Sequence, residues 1–122
     1  MKDFRDLTVW HKAHLLALAT YKLTSRFPKD ELYTLTAQMR RSSSSIATNI
    51  AEGCGRRGNG EFHKFLQNAS GSASELEYQF LLARDLEYFT DEQYEVVQDA
   101  VVEIKKMLAS LISRVEAERL RR

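Results

Sequence analysis

Apolar side chains recur along this chain at alternating steps of three and four residues, the spacing of one buried face of an α-helix. Two long segments follow this spacing without a break. The last third of the chain carries Tyr94, Val97, Val101, Ile104, Leu108, Leu111 and Val115. The segment before it carries Phe62, Leu66, Ala69, Ala73, Leu76, Phe80 and Ala83. No segment shows sustained apolar alternation of period two, so the sequence predicts helices and no sheet.

Turn signals divide this pattern into four helices. Pro28 separates the first helix from the second, and four of the five glycines cluster between Gly53 and Gly60, before the third. Thr90 and Gln93 have the spacing of a capping box at the start of the fourth. We therefore predict helices over residues 8–27, 30–54, 60–87 and 91–119. Short links between them favour an all-α, antiparallel up-down-up-down four-helix bundle in a single domain, residues 1–122.

The predicted buried seam of the second helix includes polar residues: its members are Leu35, Met39, Ser42, Ile46 and Asn49. A polar side chain such as Asn49 on a seam can fix helix register at a cost in stability. Glu52 precedes Arg56 by four residues, so the two side chains can form an ion pair on one helix face.

Four successive serines, Ser42–Ser45, lie inside this predicted helix. Serine hydroxyls compete for nearby backbone groups, so such a run is unusual at mid-helix. Counting residues from the turns places Ile46 level with Gly71, and Ala47 level with Trp10. We expect a close approach of two helices there, with the indole filling the remaining space; the alternative is that the serines face solvent. The residues predicted to set helix packing and assembly are Trp10, Ser42, Ser45, Ile46, Asn49, Gly53 and Gly71.

Composition bounds the cellular setting. The single cysteine, Cys54, excludes an internal disulfide and favours a reducing compartment. The first residues, MKDFRDLTVW, do not resemble a signal peptide, and the longest apolar run, Leu15–Ala19, is far too short to cross a bilayer. We therefore expect a cytoplasmic protein with no membrane partner.

Opposite charges collect at opposite ends of the predicted bundle, although the net charge is only +1. The end with the chain start, the second-to-third turn and the carboxy terminus has ten basic and six acidic side chains. The other end has four basic and eight acidic side chains, so the sequence predicts a charge dipole along the long axis. The ten bases are Lys2, Arg5, Lys12, Arg56, Arg57, Lys64, Arg114, Arg119, Arg121 and Arg122.

Several predicted helices are apolar around more than one stripe. Leu15–Ala19 covers the whole circumference of the first helix, and Phe80–Ala83 does so on the third. A monomeric bundle needs one buried stripe per helix. The excess predicts a second buried surface and therefore a homo-oligomer.

Candidate chemistry is sparse. His11, His14, His63 and Cys54 have the donor atoms of a zinc site, but spacing alone leaves open whether they converge. Cys54 lies near a helix carboxy terminus, where the helix dipole disfavours a thiolate. We therefore predict no catalytic residues, no metal and no cofactor, and a non-enzymatic protein.

Three segments together resemble a known bacterial family: FRDLTVWHKA, RFPKDELYTLTAQMRRSSSSIATNIAEG and EFHKFLQNASGSASELE. This family of four-helix bundles includes proteins encoded in intervening sequences of 23S ribosomal RNA genes. The resemblance covers roughly Phe4–Ile112, and Asn49–Gly53 is its most specific block. The chain is more distantly similar to the accessory variability protein of diversity-generating retroelements. The resemblance implies a ring-shaped homopentamer and suggests an association with RNA.

Two functions follow from these observations. The first is a non-enzymatic bundle that assembles with itself, as a pentamer if the resemblance extends to assembly. The alternative is an accessory protein that binds RNA or DNA through a basic rim. The predicted phosphate-contacting residues for that alternative are Arg40, Arg41, Arg56, Arg57 and Lys64.

Overall fold

Four α-helices account for most of the chain in the computed structural model, which describes residues 2–121. They are α1 (Thr8–Thr24), α2 (Leu35–Cys54), α3 (Gly58–Asp85) and α4 (Asp91–Leu120). Two short 3-10 turns, Phe4–Asp6 and Lys29–Glu31, precede α1 and α2. The described residues form no strand, so the predicted all-α class is confirmed.

The connection between α1 and α2 is longer than the sequence predicts. Helix α1 ends at Thr24 rather than at residue 27, and α2 begins at Leu35 rather than at residue 30. Proline disfavours helical backbone in the residue before it, so Pro28 ends the helical conformation upstream. The acidic residues after Pro28 lie in the 3-10 turn, not in the first turn of α2.

The helices pack in the predicted up-down-up-down order. Contacts run between α1 and α2, α2 and α3, α3 and α4, and α4 and α1, with none across either diagonal within residues 2–121. At the end of the bundle that holds the chain start, which we call the first end, the Lys2 amide donates to the Cys54 carbonyl at 3.0 Å. At the opposite end, which we call the second end, the Phe27 ring lies against Tyr88 and Phe89, with centroid distances of 5.2 and 5.3 Å. These contacts tie the chain start to the α2–α3 turn, and the α1–α2 connection to the α3–α4 turn.

The core follows the predicted seams. All seven seam residues of α3 are buried. On α4, Tyr94 and Leu111 are half-buried and the other five seam residues are buried. The Thr90 capping box is present: the Thr90 hydroxyl accepts from the Gln93 amide at 3.1 Å, and Gln93 Oε1 accepts from the Thr90 amide at 3.0 Å.

The serine run divides its side chains between core and helix contacts. Ser42 and Ser43 are buried, so the solvent-facing alternative does not hold for them. The Ser43 hydroxyl donates to the Arg40 carbonyl at 3.1 Å, the backbone bonding that lets serine sit inside a helix. Ser45 and Ser72 share a hydrogen bond of 2.9 Å between their hydroxyl oxygens, which joins α2 to α3.

The glycine that lies in a tight contact between α2 and α3 is Gly53, not Gly71. Gly71 is exposed, and a Cβ added to it would meet no atom within 4 Å, because it points away from α2. A Cβ on Gly53 would lie 2.9 Å from Phe65 Cβ and 3.0 Å from Phe62 Cδ1. A tight contact between α2 and α3 therefore lies beside the α2–α3 turn, in addition to the Ser45–Ser72 contact at mid-bundle. A role for Gly71 in assembly between copies stays a prediction.

Candidate assembly and nucleic-acid surfaces

The outward face of α1 is apolar at its centre. Leu15 is 51% exposed and Leu18 is 55% exposed, while the opposite side of α1 buries Ala13 and Leu16 in the core. No acidic residue occurs anywhere in α1. We call Leu15 and Leu18 the α1 ridge. It is the apolar surface that the sequence predicts beyond the single stripe of a monomeric bundle.

A groove runs along each side of this ridge. Toward α4, an apolar groove of about 230 Å³ is lined by Leu15, Ala19, Val96 and Ala100 among others, and Val96 is 69% exposed. Toward α2, a wider and open groove has a volume of about 860 Å³. Its α2 bank consists mainly of small residues: Ser44, Ala47, Thr48, Ala51 and Gly55. Short side chains on that bank leave room for another element to approach the backbone.

Trp10 lies on the wall of the wider groove, not in the core. Its indole stacks on the His14 ring with a centroid distance of 5.1 Å and an interplanar angle of 5°, and Phe4 meets it edge-on at 4.7 Å. Trp10 and Ala47 both line this groove, but the groove extends from Ser44 to Gly55, so the predicted level of Trp10 with Ala47 stays a prediction. The indole is half-buried, however, and therefore does not fill the bundle interior as the sequence analysis expects.

The predicted phosphate-contacting residues do not form one band. Arg40 lies 14 residues before Cys54, the last residue of α2, which corresponds to about 21 Å along the helix, and Arg56 follows two residues after that end. Arg40 Nε donates to Thr24 Oγ1 at 3.0 Å, and its guanidinium lies over the Tyr21 ring. Arg40 is therefore engaged with α1 near the second end of the bundle.

The other predicted cations gather at the first end. Arg56 forms the predicted ion pair with Glu52 at 3.1 Å and lies over the Phe65 ring. Arg57 and Lys64 are exposed and make no ion pair within residues 2–121. We call the exposed bases there that form no ion pair with another described residue the basic end: Lys2, Arg57, Lys64, Arg114 and Arg121. Arg122, which the sequence analysis counts at this end, lies outside the described residues.

The histidines and the cysteine do not converge. His63 Nε2 lies 2.9 Å from Glu116 Oε2, an ion pair when the imidazole is protonated. His14 stacks on Trp10, and Cys54 is buried. Burial raises the pKa of the Cys54 thiol. No group of three or more histidine, cysteine or acidic side chains in the described part of the chain could hold a metal ion.

Comparison with known proteins identifies the family of this bundle. The profile of the family described as 23S rRNA-intervening sequence protein matches residues 5–110. The chain belongs to this family. A similar solved structure is a protein of unknown function from the S23 ribosomal protein family of Bacteroides thetaiotaomicron. The two share 31% sequence identity with a TM-score of 0.80, and the match covers 86% of this chain and 95% of that one. No protein of curated function matches the sequence.

In this member of the family, the block Asn49–Gly53 is a packing element. Asn49 Nδ2 donates to the Ser45 carbonyl at 2.8 Å and lies 2.9 Å from the Ser45 hydroxyl, which in turn bonds Ser72. Asn49 thus supports a polar link between α2 and α3 from the edge of the seam. Gly53, the last residue of the block, makes the tight contact with α3.

Sequence reasoning missed a polar cluster between α3 and α4 of this family member. Lys105 Nζ donates to Glu77 Oε1 at 2.8 Å, and Gln98 Nε2 donates to Glu77 Oε2 at 3.3 Å. The Lys105 hydrogen bond is the main cause that lowers the pKa of Glu77. Counting residues from the α3–α4 turn places Glu77 level with Asp99 and beside Gln98, but not with Lys105, whose long side chain reaches Glu77 from six residues further along α4.

None of the helices in the described range is both long and apolar enough to span a membrane.

Proposed function

We propose that this protein is a non-enzymatic bundle that assembles with itself into a ring-like homo-oligomer, a pentamer as the family resemblance implies. The supporting observation is the α1 ridge, two leucines more than half exposed at the middle of a helix that has a groove on each side, of which the one toward α4 is apolar. An exposed apolar patch rimmed by polar residues is typical of an interaction site. Complete burial of an exposed leucine side chain contributes about 1.5–3 kcal/mol, so burial of the exposed half of each ridge leucine contributes roughly half of that and favours association.

The non-enzymatic part of the proposal rests on the candidate nucleophile. The Cys54 thiol is buried, and its raised pKa disfavours the reactive thiolate. The wider groove is open and shallow rather than a pocket that encloses a small substrate.

Leu18→Glu tests the assembly proposal. A carboxylate in an apolar contact must be desolvated, so we expect this variant to shift the protein toward monomer while its helix content stays unchanged. Leu120→Glu is the matched control, because Leu120 is 71% exposed at the end of α4, away from the ridge. Sedimentation equilibrium measures the masses. Equal masses for wild type, Leu18→Glu and Leu120→Glu would contradict a role for the ridge.

The second candidate function is RNA binding by the basic end. It is supported by the five exposed bases gathered there, because unpaired lysine and arginine side chains at one surface favour phosphate backbones. If a ring holds its copies parallel, five such ends lie on one rim.

Labelled RNA tests this candidate at two salt concentrations. We expect affinity to fall with rising salt and to be lost in Arg57→Ala/Lys64→Ala, while Arg41→Ala, a control near the other end of α2, binds as wild type. Absence of binding at low salt would remove the candidate.

A further inference from the structure

Charge is also separated across the bundle, at right angles to the axis. Residues 2–57, which include α1 and α2, carry ten basic and five acidic side chains, a net charge of +5. Residues 58–121, which include α3 and α4, carry seven basic and twelve acidic side chains, a net charge of −5. Helix contacts run around the square and not across it. The α1–α2 side is therefore basic and the opposite α3–α4 side is acidic.

The separation is sharpest near the second end. On the basic side, Lys22, Arg26 and Arg41 are exposed. On the acidic side, α4 exposes a row of carboxylates whose spacing of three and four residues keeps them on one helix face. This row consists of Glu92, Glu95 and Asp99. None of these six side chains forms an ion pair with another described residue.

Each side also exposes apolar or small side chains at a similar level along the bundle axis. The α1 ridge lies on the basic side. On the acidic side, α3 exposes Tyr78 (60%) one and two turns beyond Ser74 and Gly71, two residues too small to obstruct a neighbouring helix. Ala17 lines the wider groove with Ser44, and Ser45 bonds Ser72, so the ridge is level with this part of α3.

We propose that a second copy of the chain docks sideways, with the α1–α2 side of one copy against the α3–α4 side of the next. The inference rests on the proposed self-assembly and specifies its interface. Such a contact joins two different surfaces, so each copy keeps one free side of each kind until the assembly closes. Opposite charge sets the orientation of neighbours, since like charges would meet if the same sides faced each other. The α1 ridge supplies the apolar contact.

Charge reversal on each side tests the proposal. The basic-side variant is Lys22→Glu/Arg26→Glu, and the acidic-side variant is Glu95→Lys/Asp99→Lys. Each alone makes both sides alike in charge near the second end, so we expect the protein concentration at half-assembly to rise about tenfold or more. The four changes combined on one chain restore opposite charge and should return that concentration close to the wild-type value. Arg57→Glu/Lys64→Glu is the control, with the same change in net charge at the basic end.

Sedimentation equilibrium at fixed ionic strength measures all five proteins, and circular dichroism checks their helix content. If a reversed variant loses helix content, Glu95→Gln/Asp99→Asn takes its place, with a smaller shift in the same direction. If wild type assembles and the reversed variants assemble equally well, this interface is wrong but self-assembly still holds. The interface is also wrong if the combined variant has a protein concentration at half-assembly no lower than that of the single-sided variants. A monomeric wild type would overturn the proposed function itself.

Discussion

Two glycines show how differently one residue type serves this bundle. Gly53 lies where α2 and α3 nearly touch, and only a hydrogen fits between the backbone and Phe65. Gly71 lies on the outer surface of α3, where an added Cβ would meet no atom within 4 Å. Periodicity places both inside or beside helices but does not tell which neighbour each one faces.

Alanine at these two positions should have opposite effects on stability. Gly53→Ala should lower the free energy of unfolding by about 1–3 kcal/mol, because Phe65 Cβ is fixed to the α3 backbone and cannot move aside cheaply. Gly71→Ala should raise it by about 0.5–1 kcal/mol, because alanine loses less backbone entropy in a helix. Urea unfolding at one protein concentration measures both. A Gly53→Ala protein as stable as wild type would contradict the tight contact, and a reduced assembly mass for Gly71→Ala would support its predicted role between copies.

At the scale of the helices, α3 ends in a left-handed residue that is not glycine. Glu87 has φ 65°, the Tyr88 amide donates to the Ala83 carbonyl at 2.9 Å, and the Glu87 amide donates to the Arg84 carbonyl at 2.9 Å. These two bonds form the Schellman motif, which glycine usually completes. The sequence analysis placed this helix end two residues later, because no glycine marks it.

Glu87→Gly should therefore stabilise the protein. A left-handed conformation costs a non-glycine residue about 1–2 kcal/mol, part of which the greater entropy of glycine in the unfolded chain offsets, so we expect a gain of about 0.5–1 kcal/mol. Glu87→Ala is the control, since it removes the carboxylate and keeps the cost. Thermal unfolding of both variants distinguishes backbone from charge effects: an equal rise for alanine and glycine would exclude the backbone explanation.

The Glu77–Lys105 pair predicts how the α3–α4 contact depends on pH. Lys105 lowers the pKa of Glu77 below its ordinary value of 4.5 in the folded state. The stabilisation is therefore complete above about pH 4.5 and is lost as the pH falls through the folded pKa. Glu77→Gln should cost about 0.5–1 kcal/mol at pH 7, a value reduced by partial exposure, and should flatten the acid side of the stability profile. The exposed Glu75→Gln serves as control, and identical profiles for the two variants would contradict this pairing.

The sequence predicts the interior of the helices better than their ends and outer faces. The seams of α3 and α4 follow from the apolar steps because each seam faces a single core. The start of α2 does not, since Glu31 lies in a 3-10 turn four residues before α2, where its carboxylate accepts hydrogen bonds from Thr34, from Tyr88 and from the amide of Leu35. Trp10 and Arg40 were misplaced for a related reason: both lie between neighbouring helices, and periodicity within one helix does not reveal its neighbours.

At the scale of the whole molecule, the same four helices produce a closed core and a surface on which apolar side chains remain exposed. The core buries one face of each helix and leaves the α1 ridge exposed on the basic side, opposite the acidic side. Contacts of the ridge and of both sides with further copies of the chain would bury apolar surface and also pair opposite charges. Self-assembly is therefore the central claim about this member of the 23S rRNA-intervening sequence family.

The mass of the wild-type protein in solution tests that claim most directly. Sedimentation equilibrium of the full chain, over the micromolar range and at moderate ionic strength, gives the mass without reference to shape. We predict one main species of about five times the protomer mass of 14.1 kDa. A mass of 14.1 kDa throughout that range would contradict self-assembly.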